Sequence, residues 1–203
     1  MTSRQTMELQ RIFLKVKQTI FWDDTPYSEY ILRTPEEVES SGKAKCADAI
    51  LYIKSIIEKE TNYRCLPIRI LIRSDRPIGN THRDKWVHVL MVVYANEIPN
   101  TEPQIYLIEW RWCEMLHGVF GPFNSLVDLM LFIEKVYTSL LRDRYRQLFV
   151  LSYDVFDEIE YGMHIDTLFS GDTFQHGLPS IYKEGFIERA GGGDWCARRH
   201  SSE

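Results

Sequence analysis

Apolar residues along the chain recur every three or four positions in some stretches, and every two positions or without a break in others. Over residues 6–21, Leu9, Ile12, Phe13, Val16 and Ile20 share one stripe, which predicts an amphipathic helix. Asp23, Asp24 and Pro26 break it, and the aromatic link 27–33 has no period that assigns it. Thr34, Pro35, Glu36 and Glu37 read as a helix start, with a hydroxyl cap, proline at the first position and acids in the first turn. The helical period returns with Ile50, Leu51, Ile53, Ile56 and Ile57, so a helix runs to about Glu60 with its first turn at or just before Cys46.

Residues 65–73 are rich in β-formers and predict a strand with Pro67 near its start or at an edge. The turn-forming residues of 74–85 predict a loop, and 86–94 is the strongest strand in the chain. Period two places Trp86, His88, Leu90, Val92 and Tyr94 on one of its faces, and Val87, Val89, Met91 and Val93 on the other. After a turn at 96–100, residues 104–110 predict an antiparallel partner strand on which Glu109 shares a face with Ile105 and Leu107. A glycine-containing loop over 111–122 leads to a helix capped by Asn124 or Ser125. That helix reaches about Leu141 with Leu126, Leu129, Met130, Ile133 and Val136 inward. A further strand at 147–154, a short helix at 163–169 and a mobile tail at 191–203 complete the prediction. The mixture predicts an α+β fold in one domain over 1–190, without internal repeats.

Composition sets limits on function. A chain of 203 residues, 44% hydrophobic and 13% aromatic, can bury an ordinary core. A net charge of -5 argues against a nucleic-acid partner, and the basic cluster at 142–146 reads as the solvated end of a helix. No apolar run approaches the ~18 residues that span a bilayer, and the first residues lack the apolar core of a secretory signal. The expectation is therefore a cytoplasmic protein with no membrane partner. The four cysteines, at 46, 65, 113 and 196, form no Cys-x-x-Cys pair, which disfavours both a disulfide scaffold and a structural zinc site. His164, Asp166 and His176 have no spacing with ligand logic, so neither a metal nor a cofactor is expected.

Three positions carry candidate chemistry. Cys46 at a helix start lies beside unpaired N–H groups and the positive end of the helix dipole, which favour a thiolate and can also bind an oxyanion. The plainer role for a lone cysteine is a small buried hydrophobe. His88 in an apolar strand must find a hydrogen-bond partner, whether as a satisfied core histidine or as a catalytic one. Glu109, beside apolar neighbours at a strand end, is costly unless paired, and His88 on the adjacent strand is the residue to pair with it. Together Cys46, His88 and Glu109 supply a nucleophile, a general base and acid, and an orienting carboxylate. Asp48, two residues after the cysteine, reads as structural, a carboxylate serving the first turn of the helix.

This order and these element contexts resemble the papain/transglutaminase-like cysteine-hydrolase superfamily, and more closely its bacterial transglutaminase-like proteins. The resemblance rests on Pro35-Glu-Glu-Val38, Gly42 through Cys46-Ala-Asp48, Trp86-Val-His88, Glu109-Trp110 and the Gly118-to-Ser125 stretch, and spans roughly residues 34 to 140. It implies a cysteine helix packed on an antiparallel sheet. It also implies acyl transfer at an amide or peptide bond, by a peptidase, amidase, deamidase or transglutaminase acting on a protein or peptide. The chain departs from the pattern in several places. Ala47 follows the cysteine where papain-like enzymes have Trp, no Gln stands in the stretch before it, Gly42 lies four residues upstream, and Glu109 replaces the usual Asp. Backbone N–H groups or another side chain would then have to serve as the oxyanion hole. The alternative is a catalytically silent module of the same fold that binds a protein or peptide, a role that exposed Trp112 or Trp195 would suit. Oligomeric state is left open by the sequence.

Overall fold

A computed structural model of the protein describes residues 3–74, 85–96, 102–110, 116–140, 148–155 and 161–164. Outside these lie the 75–84 loop, Trp112, Cys113, the 142–146 cluster, Asp166 and most of the 163–169 helix, His176, and the 191–203 tail with Trp195 and Cys196.

The first helix, α1, covers Arg4–Thr19, two residues earlier than its apolar stripe predicts, because Ser3 caps it by accepting the Thr6 N–H at 3.2 Å. A short β1, Phe21–Trp22, pairs in parallel with β2, Lys43–Ala44, a contact too brief to leave a period in the sequence. Between them, α2 spans Pro35–Ser41 with the expected start: Thr34 Oγ1 accepts the Glu37 N–H, and Glu37 returns a carboxylate oxygen to the Thr34 N–H at 2.8 Å. Gly42 ends it at φ 64, a left-handed conformation that glycine adopts without a Cβ penalty. This turn delivers the chain into α3, Cys46–Glu60, so Cys46 is the first helical residue.

Five strands form one antiparallel sheet in the order β6-β5-β4-β3-β7. They are β3 (Arg64–Ser74), β4 (Lys85–Ala95), β5 (Gln104–Glu109), β6 (Gly118–Phe123) and β7 (Leu148–Val155), with α4 (Leu126–Leu140) between the last two. Pro67 lies one residue before the first pair of β3 with β7, Ile68 with Val155, so the missing N–H falls where β3 is still an edge. The sequence expectation of a loop over 111–122 needs correction at its end, since Gly118–Phe123 is a strand. Two glycines and a proline hide it. An outer strand tolerates them, and the β5–β6 register shifts between Ile105 and Leu107. Gly121, at φ +119, is required there: a Cβ would lie 2.8 Å from the Ile105 carbonyl oxygen.

The sheet is covered on both faces. On one, α1 and α3 bury Leu9, Ile12, Ile50 and Ile53 against Val89, Met91 and Ile108. On the other, Leu129, Met130 and Ile133 of α4 meet Leu90, Val92 and Leu107. Each such side chain stabilises the fold by roughly 1.5–3 kcal/mol. The period-two reading of β4 therefore corresponds to two real layers. Among the described residues, no helix is long and apolar enough to cross a membrane.

Candidate active site

His88 and Glu109 reach each other through the sheet. The last Cα pair of β4 with β5 is Met91 with Ile108, so β4 runs on past that ladder while Glu109 ends β5. Period two turns both side chains to the layer of Leu90 and Leu107, and His88 Nε2 lies 2.5 Å from a Glu109 carboxylate oxygen. The two are 2% and 1% exposed, so their interaction acts in a low dielectric. Cys46, 3% exposed, belongs to the opposite layer with Ala47, Met91 and Ile108. Its thiol is nevertheless a hydrogen-bonding partner of the imidazole, at the part of β4 that has outrun its pairing with β5. The structure thus brings together all three residues singled out in the sequence.

Burial alone would lower the His88 pKa. The charge of Glu109, that of a Cys46 thiolate and hydrogen bonds to both outweigh it and hold the histidine at about 10. The imidazolium is consequently the resting form at neutral pH. With Nε2 engaged by the carboxylate, Nδ1 is the nitrogen left to exchange a proton with sulfur.

At the start of α3, the first helical hydrogen bond runs from the Ala49 N–H to the Lys45 carbonyl at 3.0 Å. The N–H groups of Cys46, Ala47 and Asp48 precede that ladder and are the donors an oxyanion would meet. Asp48 is fully buried and accepts from the Tyr30 hydroxyl, from the Arg33 N–H at 3.3 Å and from the Lys45 N–H at 3.4 Å. These contacts tie the 30–33 segment to the helix start, as befits a structural residue. Burial raises the Asp48 carboxyl to about 6 despite those three donors. The folded protein therefore binds a proton more readily than the unfolded chain, whose carboxyl titrates near 3.8. Its contribution to stability falls as pH rises from about 4 to 6. Asp48→Asn should remove this slope, by about 3 kcal/mol across the window, when urea unfolding of the two proteins is compared at both ends. Parallel stability curves for the two proteins would contradict it.

Sequence reasoning missed the residues around this turn. Lys45 is 2% exposed, donates from Nζ to the Asp23 carbonyl at 2.8 Å, and faces the rings of Tyr27, Tyr30 and Trp22 at 4.4, 4.9 and 5.2 Å. Asp23 in turn pairs with Arg33 at 2.6 Å. Burial of Asp23 is outweighed by hydrogen bonds from Thr25 and by Arg33, which hold it at about 2. The signal was an aromatic, charged stretch without a period. Such a pattern gives no hint of which residues fold inward.

Among the described residues the other free cysteine, Cys65, makes a natural control. Burial, with a smaller push from Glu58, raises its thiol to about 12. Iodoacetamide at neutral pH should label Cys46 and spare Cys65, as read by peptide mass spectrometry; equal labelling would remove the distinction. A cleft of ≈ 700 Å³ is lined by Glu29, Tyr30, Arg33, Glu37 and Tyr161, and none of the three site residues lines it. Comparison of the chain with protein-family models and with curated proteins gives no match.

Proposed function

We propose that the protein is a thiol-dependent acyl-transfer enzyme acting on an amide or peptide bond, with a papain/transglutaminase-like core. The observation that carries this is the buried His88–Glu109 pair, bonded at 2.5 Å, with the Cys46 thiol at the same imidazole. The α+β arrangement, with the cysteine opening a helix and the other two residues on neighbouring antiparallel strands, supports it.

In this mechanism the Cys46 thiolate attacks the carbonyl carbon and a C–S bond forms. The oxyanion is met by the N–H groups at the start of α3, in keeping with the absence of a Gln just before the cysteine. His88 gives its proton to the departing nitrogen as the C–N bond breaks, leaving a thioester and a neutral imidazole. Water or an amine then attacks the thioester, His88 takes the incoming proton, and the acyl group leaves as acid or new amide. Peptidase, amidase, deamidase and transglutaminase differ only in the groups that leave and enter. Glu109 keeps the ring oriented and stabilises its positive charge throughout.

A second reading, a silent module of the same fold that binds a protein or peptide, draws on the burial of Cys46, His88 and Glu109 at 3%, 2% and 1% exposure and on the cleft that lies elsewhere. Incubation of the full chain with activated esters and amides of several acyl classes, followed by intact-mass spectrometry, separates the two. A hydroxylamine-labile adduct on Cys46 is the expected result. A folded protein that takes up no acyl group from any class would leave the binding module.

A further inference from the structure

We propose that Lys45 is a positioning residue whose caged ammonium holds negative charge on Cys46, an inference that rests on the acyl-transfer mechanism and adds a residue to it. Burying an ammonium is expensive unless its charge is met. Here three aromatic faces and one backbone carbonyl surround it, each supplying only partial negative charge. Among the described residues no carboxylate forms an ion pair with Lys45. The nearby acids have other duties. Asp23 is tied to Arg33, Asp48 accepts from Tyr30 and two N–H groups, and Asp24 is exposed. The next residue, Cys46, would supply a full negative charge in the thiolate form that the acyl-transfer mechanism uses.

The direction of the lysine's own titration agrees. Burial lowers the Lys45 pKa, and the negative charges of Asp23, Cys46, Asp24 and Asp48 act against that fall. The cage also fixes where the charge sits. A free lysine at a helix start would extend into water and be screened, whereas this one is 2% exposed and anchored at 2.8 Å. The cations that bear on Cys46 are thus the His88 imidazolium, bonded to Glu109, and the Lys45 ammonium of the preceding residue, with Asp48 within the helix turn.

The test compares iodoacetamide alkylation of Cys46 at about pH 6 and about pH 9 in the full-length protein. The ratio of the two rates cancels access to the buried thiol and reports the charge that stabilises the thiolate. Lys45→Met and Lys45→Gln should each lower the ratio about tenfold, equivalent to one pK unit, although Gln can keep the bond to the Asp23 carbonyl. Lys45→Arg, which keeps the charge, should stay within about threefold of the parent. Tyr27, whose ring is the nearest to the ammonium and 42% exposed, offers a variant outside the core. Tyr27→Leu should lower the ratio about twofold to fivefold and keeps the test alive if both neutral lysine variants fail to fold.

A parent ratio in folded Lys45→Met, Lys45→Gln and Tyr27→Leu would overturn the proposal and leave Lys45 a packing residue. His88→Asn distinguishes the two levels. If it lowers the ratio while the Lys45 variants do not, the inference alone fails. If no variant moves the ratio, the acyl-transfer mechanism fails with it.

Discussion

Cys46→Ala is expected to abolish formation of an acyl-protein adduct, because no other atom at the start of α3 can form the thioester. His88→Ala should come close to that result: the sulfur loses its proton partner and the departing nitrogen loses its acid. Glu109→Gln is the graded case. It keeps the shape and a hydrogen bond to Nε2 but removes the charge that stabilises the imidazolium, so single-turnover acylation should slow by roughly 10²–10⁴-fold without vanishing. Rapid mixing with an activated acyl probe, quenched for intact-mass spectrometry, ranks the three. Acylation of Cys46→Ala at the parent rate would place the chemistry elsewhere, and a Glu109→Gln protein as fast as the parent would reduce the carboxylate to a structural partner.

The second large effect is on stability. Glu109→Leu removes one member of a pair that is 2% and 1% exposed and leaves the His88 charge in a low dielectric, which destabilises by about 3–5 kcal/mol. Combining it with His88→Phe should recover most of that loss, since two apolar side chains replace two buried charges. The pH dependence follows from the raised histidine. Its folded pKa of about 10 exceeds the ordinary 6.5, so the pair's stabilisation is fully present below about 6.5 and is lost as pH rises through 10. Urea titrations at neutral and alkaline pH should show this decline in the parent and a flatter profile in Glu109→Leu. A single variant as stable as the double one would mean that the pair carries no such energy.

Much of this site was legible in the residues. The helical period after Cys46 and the period-two pattern of β4 and β5 both survive in the structure, because each is a burial pattern and burial decides the layer. Two polar residues on matching faces of neighbouring strands therefore pointed to each other before any coordinates. The failures have physical causes as well. In β6, glycine and proline serve the bulge against Ile105, so turn-forming residues stand inside a strand. The link containing Tyr27 and Tyr30 is held by a cation over aromatic faces and by point hydrogen bonds, interactions that join distant residues and leave no repeat along the chain. Lys45 escaped for the opposite reason to His88: a lysine before a helix is so ordinary on a surface that its burial cannot be anticipated.

The order of the sheet assigns stiffness and compliance to different parts of the site. His88 rides on β4, paired there with Ile70 of β3, and Glu109 on β5, paired there with Gly118 of β6. Moving either residue would disturb a whole ladder. The segment that clasps Lys45 and Asp48 on either side of Cys46 has no ladder comparable to theirs: it is held by separable attachments, among them Asp23 to Arg33, Tyr30 and the Arg33 N–H to Asp48, and the Lys45 ammonium to Asp23. Attachments of that kind open one at a time at a fraction of the global unfolding free energy, whereas a central strand opens only with the molecule. The proton-handling half of the site is thus built as a frame, while the helix start that carries the sulfur is joined to the 23–33 segment by attachments that can be undone with the frame still shut.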